Sequence, residues 1–143
     1  MAFVSPGAVV VDTNIVLDLL VFRDPASQPL HQALQAGALQ WLASAAMRDE
    51  LRRVLDYPQI APRLAYYELT RDGVMAQFAQ LARLVDAAPG VHLRCKDPDD
   101  QKFIDLAVAH QALLLSKDQA VLRMAKRLLA VGVRAQAAIS AAS

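Results

Sequence analysis

Four acidic residues carry the chemistry that this sequence offers: Asp12, Glu50, Asp100 and Asp118. Asp12 ends the β-branched run Ala8–Val11, and Asp118 follows the apolar run Ala112–Leu115 by three residues. Asp100 closes the turn KDPDD (Lys96–Asp100) and opens a helical pattern. Ligands of open parallel α/β sheets bind just beyond the carboxyl ends of strands, so these three are expected along one edge of the sheet. Glu50 lies inside a helical segment whose Met47, Leu51 and Val54 mark the buried side, which puts it at the border of that face. Carboxylates gathered in one cleft repel and raise each other's pKa. A hard divalent cation relieves this, and Mg²⁺ or Mn²⁺ takes oxygen ligands while keeping several waters. Such an ion activates water and neutralises charge on a phosphodiester. Singly, each aspartate is an ordinary cap or turn residue, and Glu50 an ordinary helical partner for Arg53. The metal expectation rests on the joint pattern.

The elements that must position these acids follow from the apolar spacing. Ala8–Val11 is apolar on both faces, as in a buried strand of a parallel sheet. Thr13 or Asn14 is expected to cap the next helix, which carries Ile15, Val16, Leu19 and Leu20 and stops at Asp24-Pro25. A second helix is expected from Pro29 to about Ala36, then a strand over Leu39–Ala43. A helix over Ala45–Leu55 follows, capped by Ser44 and stopped by Pro58. Ile60–Tyr67 reads as interrupted helix. A longer helix opens at Thr70 or Asp72 and runs through about Ala87. Strands are expected at Val91–Arg94, at Ala112–Leu115 and, at an edge, at Val131–Ala135. Helices are expected over Asp100–His110 and from Gln119 to Leu129. Strand and helix alternate, so the class is α/β with a mainly parallel sheet.

With 143 residues, 55% hydrophobic and 20% charged, the chain is expected to form one domain over 1–143 with a well-filled core. The Ala-rich tail is expected to fray from about residue 136. Net charge is only +1, so nucleic-acid binding would depend on local basic patches. Cys95 stands alone, which excludes an internal disulfide and suits a reducing cytoplasm. The first residues lack a signal-peptide pattern, and no apolar run is long enough for a membrane. His31, His92 and His110 are scattered and give no zinc spacing. No Gly-rich GK[ST] segment exists for a P-loop. A haloacid-dehalogenase-like site would want an acid where Asn14 stands, and a receiver's acidic pair is missing.

The segments VVVDTNIVLDLL (Val9–Leu20), SAAMRDELRRVLDYP (Ser44–Pro58) and CKDPDDQKFIDLAVAHQALLLSKDQAVL (Cys95–Leu122) occur in the order found in PIN domains. Over nearly the whole chain the sequence resembles that family, and most closely its branch of toxin components of toxin–antitoxin systems, the VapC-like ribonucleases. The resemblance implies a three-layer α/β/α sandwich and Mg²⁺- or Mn²⁺-dependent cleavage of RNA. By position it makes Asp12, Glu50, Asp100 and Asp118 the four catalytic, metal-binding acids. It makes Asn14 and Ser116 supporting residues, with Ser116 standing where the family often has Thr. It also implies a cognate antitoxin and a homodimer as partners. Lys117 departs from a place often held by Gly or Arg.

Asp97, Asp99 and Asp105 leave the third acid open to question. Asp97 precedes Pro98 as a turn residue does. Asp105 is about 500° of helical rotation from Asp100 and so points roughly 140° away, which favours Asp100. Arg48, Lys117 and Arg123 are candidates for phosphate contacts, within a wider basic set of Arg52, Arg53, Lys126, Arg127 and Arg134. Tyr66 and Tyr67 are candidates for base stacking, and Trp41 for the core. The rival expectation is a PIN-like module that has lost catalysis and only binds RNA or protein.

Overall fold

The computed structural model describes residues 7–139. Five parallel strands form one sheet in the order β3-β2-β1-β4-β5. They are β1 (Gly7–Val11), β2 (Leu39–Ala43), β3 (Ala82–Leu84), β4 (Leu113–Leu115) and β5 (Ala135–Gln136). Among the described residues the helices are α1 (Thr13–Leu20), α2 (Gln28–Gln35), α3 (Ala45–Leu55), α4 (Ala61–Tyr66), α5 (Arg71–Leu81), α6 (Gln101–His110), α7 (Gln119–Leu122) and α8 (Ala125–Ala130). Together they make the three-layer α/β/α sandwich expected from the strand–helix alternation.

β1 lies at the centre because its side chains suit burial on both faces. Val9, Val10 and Val11 are all buried, and β1 pairs with β2 on one side and β4 on the other. Trp41 of β2 is buried and meets Phe78 of α5 edge to face, with ring centroids 5.1 Å apart. Chain order reverses at β1: β2 and β3 extend the sheet one way, β4 and β5 the other. That is the switch point at which α/β sheets open a crevice beyond their strand ends.

Four local expectations are corrected. The long helix stops at Leu81, and Ala82–Leu84 becomes an edge strand in register with Trp41–Ala43. Val91–Arg94 forms no strand; side chains hold this segment, with the Val91 N–H donating to Asp105 Oδ1 and Gln101 Nε2 to the Leu93 carbonyl. The late helix is split at Arg123–Met124 into α7 and α8. The edge strand expected at Val131–Ala135 forms at Ala135–Gln136, where it pairs with Leu114 and Leu115. Of the tail expected to fray, Ile139 packs against the core, while 140–143 lie outside the described residues. So do residues 1–6, on which the expected lack of a signal peptide partly rests. No helix of the described residues is long and apolar enough to cross a membrane.

Trp41→Ala is expected to lower stability by about 3–5 kcal/mol, the usual cost of emptying a large aromatic site. Urea unfolding followed by circular dichroism checks this, and a loss below about 1 kcal/mol would contradict the buried placement.

Candidate metal centre

Register brings the first two groups together. Val11 of β1 faces Leu115 of β4, so the next residues, Asp12 and Ser116, leave the sheet side by side. The Asp12 N–H donates to the Leu115 carbonyl at 2.9 Å. Ser116, fully buried, donates its hydroxyl to Asp12 Oδ2 at 2.6 Å and accepts from the Asp118 N–H at 3.0 Å. One hydroxyl thus orients the first acid and the backbone of the last. Asp12 is also the N-cap residue of α1 by backbone conformation, but its carboxylate makes no cap hydrogen bond. The expected cap at Thr13 or Asn14 is therefore one or two residues late. Asp118 does cap its helix, accepting from the Ala120 N–H at 2.8 Å through Oδ1.

Asp100 arrives from the other side of the cleft. Pro98–Asp100 forms a 3₁₀ turn initiated by Asp97, whose carboxylate accepts from the Asp99 N–H. The turn directs Asp100 inward at the start of α6, where it is 6% exposed. Asp99 stays outside, and Asp105 faces the 91–95 segment. One carboxylate oxygen each from Asp12, Asp100 and Asp118 lies within 4.8 Å of the other two. Asp100 Oδ2 is buried with no hydrogen-bond partner. A buried carboxylate oxygen left unsatisfied is costly, and this one belongs to a cluster of three acids. The donor set fits a hard oxygen-seeking cation: three carboxylates on separate elements, one oxygen free, and no thiolate or imidazole in the group.

The electrostatics follow from this crowding. Burial is the main cause that pushes Asp100 from an ordinary 3.8 up to about 8, helped by its side-chain interaction with Asp118 and by repulsion from Asp12, Asp118 and Asp97. Asp12 is raised as well, mainly by burial, with repulsion from Asp118 and Glu50 adding to it. Its bonds from Ser116 and the Thr13 backbone work the other way.

Glu50 stands beside this trio without belonging to it. It is half-buried on α3. Its Oε1 accepts the Thr13 hydroxyl, and its Oε2 accepts from Lys102 Nζ at 2.8 Å. Asn14 is exposed on the first turn of α1. Among the basic candidates, Lys117 pairs with Asp18, Arg48 with Asp49, and Arg123 is exposed just after α7. Arg48 lines a groove with Arg52, Met75 and Phe78, about 200° of helix rotation away from Glu50. Tyr66 is exposed, and half-buried Tyr67 stacks obliquely on Phe22. Sequence reasoning missed Thr13 as a side-chain partner and Lys102 altogether. Lys102 lies in the DPDDQKF motif, but nothing in the spacing links it to a glutamate 52 residues away.

The family model described as a PIN domain matches residues 8–120. The chain belongs to the PIN-domain family, whose members are generally nucleases. The fold is similar to that in the crystal structure of VapBC2 from Rickettsia felis bound to a DNA fragment from their promoter. The TM-score is 0.57 at 14% identity, over 90% of this chain and 98% of that one. No curated protein matches the sequence at comparable stringency.

Asp100 binds its proton more tightly when folded than when unfolded. Between about pH 4 and about pH 8 the folded chain therefore holds the extra proton, and stability of the cation-free chain falls as pH rises through that window. Asp100→Asn removes this loss. It is expected to raise the cation-free Tm at pH 8 by ~3 °C or more, since 1 kcal/mol corresponds to roughly 2–4 °C in a chain near this size. Differential scanning calorimetry across the window checks it; a lower Tm for the variant at pH 8 would contradict the repulsion account.

Proposed function

We propose that this chain is a Mg²⁺- or Mn²⁺-dependent endoribonuclease that acts as the toxin of a toxin–antitoxin pair. The observation that carries the nuclease part is the convergence of Asp12, Asp100 and Asp118 with one buried, unpartnered oxygen on Asp100. Membership of the PIN-domain family and the likeness to VapBC2 support the toxin part, together with an antitoxin partner and cytoplasmic work. A homodimer is part of the same proposal.

Asp12, Asp100 and Asp118 would hold the cation, and Glu50 is the fourth acid of the cleft. When bound, the cation supplies an activated water and neutralises charge on the scissile phosphate. The protein's own part is to hold its carboxyl groups aimed at one point. Ser116 fixes Asp12 Oδ2, the α7 N-terminus holds Asp118 Oδ1, and the turn before α6 fixes Asp100. Arg48, Lys117 and Arg123 are proposed phosphate contacts. Lys117 and Arg48 would first exchange their carboxylate partners for phosphate.

Asp12→Asn is expected to reduce Mn²⁺-dependent cleavage of a mixed-sequence RNA by more than the ~10–100-fold that loss of a supporting hydrogen bond costs, and Ser116→Ala by an amount within that range. Wild-type cleavage by Asp12→Asn would refute the assignment. RNA binding without cleavage by the unmutated chain would favour a catalytically inactive binding module. If Lys117 and Arg123 track phosphates, RNA affinity must fall steeply between 50 and 200 mM salt, an interval over which phosphate-contacting proteins typically lose affinity strongly. A filter-binding titration reads this, and a flat salt profile would remove the contacts.

A further inference from the structure

We propose that Lys102 is a positioning residue that reserves Glu50 and so makes this a one-cation centre; this rests on the cation-binding function proposed above. The observation is the division of the four acids into two groups. Asp12, Asp100 and Asp118 converge with one oxygen free, whereas both oxygens of Glu50 are engaged. Thr13 donates to Oε1 and the Lys102 ammonium to Oε2 at 2.8 Å. Lys102 is itself held from a second side, donating to the Asp99 carbonyl and lying 4.8 Å from the Phe103 ring centroid. Both side chains of the pair are largely buried, at 25% and 16% exposure, so the attraction is only partly screened.

Formal charge and the engagement of both Glu50 oxygens together set the count. The three aspartates carry minus three when ionised, and the Glu50–Lys102 pair is neutral. One divalent cation leaves the centre near neutrality at minus one. A second would bring the centre, counted with the intact pair, to plus one, and to gain a further carboxylate it would have to displace an ammonium from Glu50. Lys102 thus stands in the electrostatic place that a second cation would occupy, and Thr13 keeps Glu50 turned toward it. Without the ammonium, Glu50 is a fourth uncompensated carboxylate beside Asp12, and two cations balance the four charges.

Isothermal titration of the full chain with Mn²⁺ alone, with a thermal melt of each variant as a folding check, tests this without reference to activity. The wild type and Lys102→Arg should bind one Mn²⁺. Lys102→Met should bind two. The double variant Lys102→Met/Glu50→Gln removes the pair as a neutral unit and should return to one, its affinity changed by less than the ~10-fold that marks loss of a supporting contact. Two ions in the wild type, one in Lys102→Met, or loss of the ion in the double variant would overturn the proposal. Asp12→Asn separates the two layers: if it binds Mn²⁺ as the wild type does, the cation function itself fails; if it loses the ion, only the Lys102 assignment is at stake.

Discussion

Mutual repulsion among carboxylates crowded at the carboxyl ends of β1 and β4 is the constraint on which the rest of the molecule depends. One oxygen of each of three lies within 4.8 Å of the other two, two of the three are buried, and Asp100 is driven to about 8 mainly by that burial. A cluster of this kind opposes folding of the cation-free chain, so the surrounding structure must hold it by other means. The central valines of β1 and the apolar strand β4 supply the anchor, since burial of those side chains fixes the register that sets Asp12 against Ser116. The Ser116 hydroxyl then couples Asp12 to the start of α7, and the 3₁₀ turn brings Asp100 across. Stability is invested in the sheet and withheld from the site, as expected where charge must be kept ready for a ligand.

The same constraint explains the separation of Glu50. A fourth ionised carboxylate next to Asp12 would deepen the repulsion. Glu50 is instead compensated within the protein by an ammonium and a hydroxyl. The cleft is thereby divided into a region of unbalanced negative charge, which attracts a cation, and a balanced region beside it. Lys117, although near the site in sequence, is turned to Asp18, and Arg48 faces a groove on the other side of α3. The cationic side chain that bears most directly on the acids is Lys102.

Much of this was legible in the sequence where local pattern and tertiary role coincide. Leu39–Ala43 and Ala45–Leu55 appear at the expected bounds because a short apolar strand, a Ser cap and a following helix are local signals. Asp12 and Asp118 were readable as strand-end acids, and Asp100 was separable from Asp105 by helical rotation. β3 was not readable. The spacing of Val74, Phe78, Leu81 and Val85 continues a helical pattern straight through it, and as a three-residue edge strand it is too exposed to show a buried signature. Val91–Arg94 misled in the opposite sense: its composition suits a strand, but no neighbour offers a ladder, and side chains of α6 take its backbone groups instead. The Lys102–Glu50 pair joins residues 52 apart and exists only once α3 and α6 are placed, so no local pattern announces it.

The central claim is that Asp12, Asp100 and Asp118 form a cation site from which Glu50 is held apart. Anomalous diffraction from crystals grown with Mn²⁺ addresses it most directly. The account predicts an anomalous peak among the three aspartate carboxylates, with Glu50 still bonded to Lys102 and Thr13. Saturating Mn²⁺ with no peak between those carboxylates, or a peak ligated by Glu50 with Lys102 displaced, would contradict it.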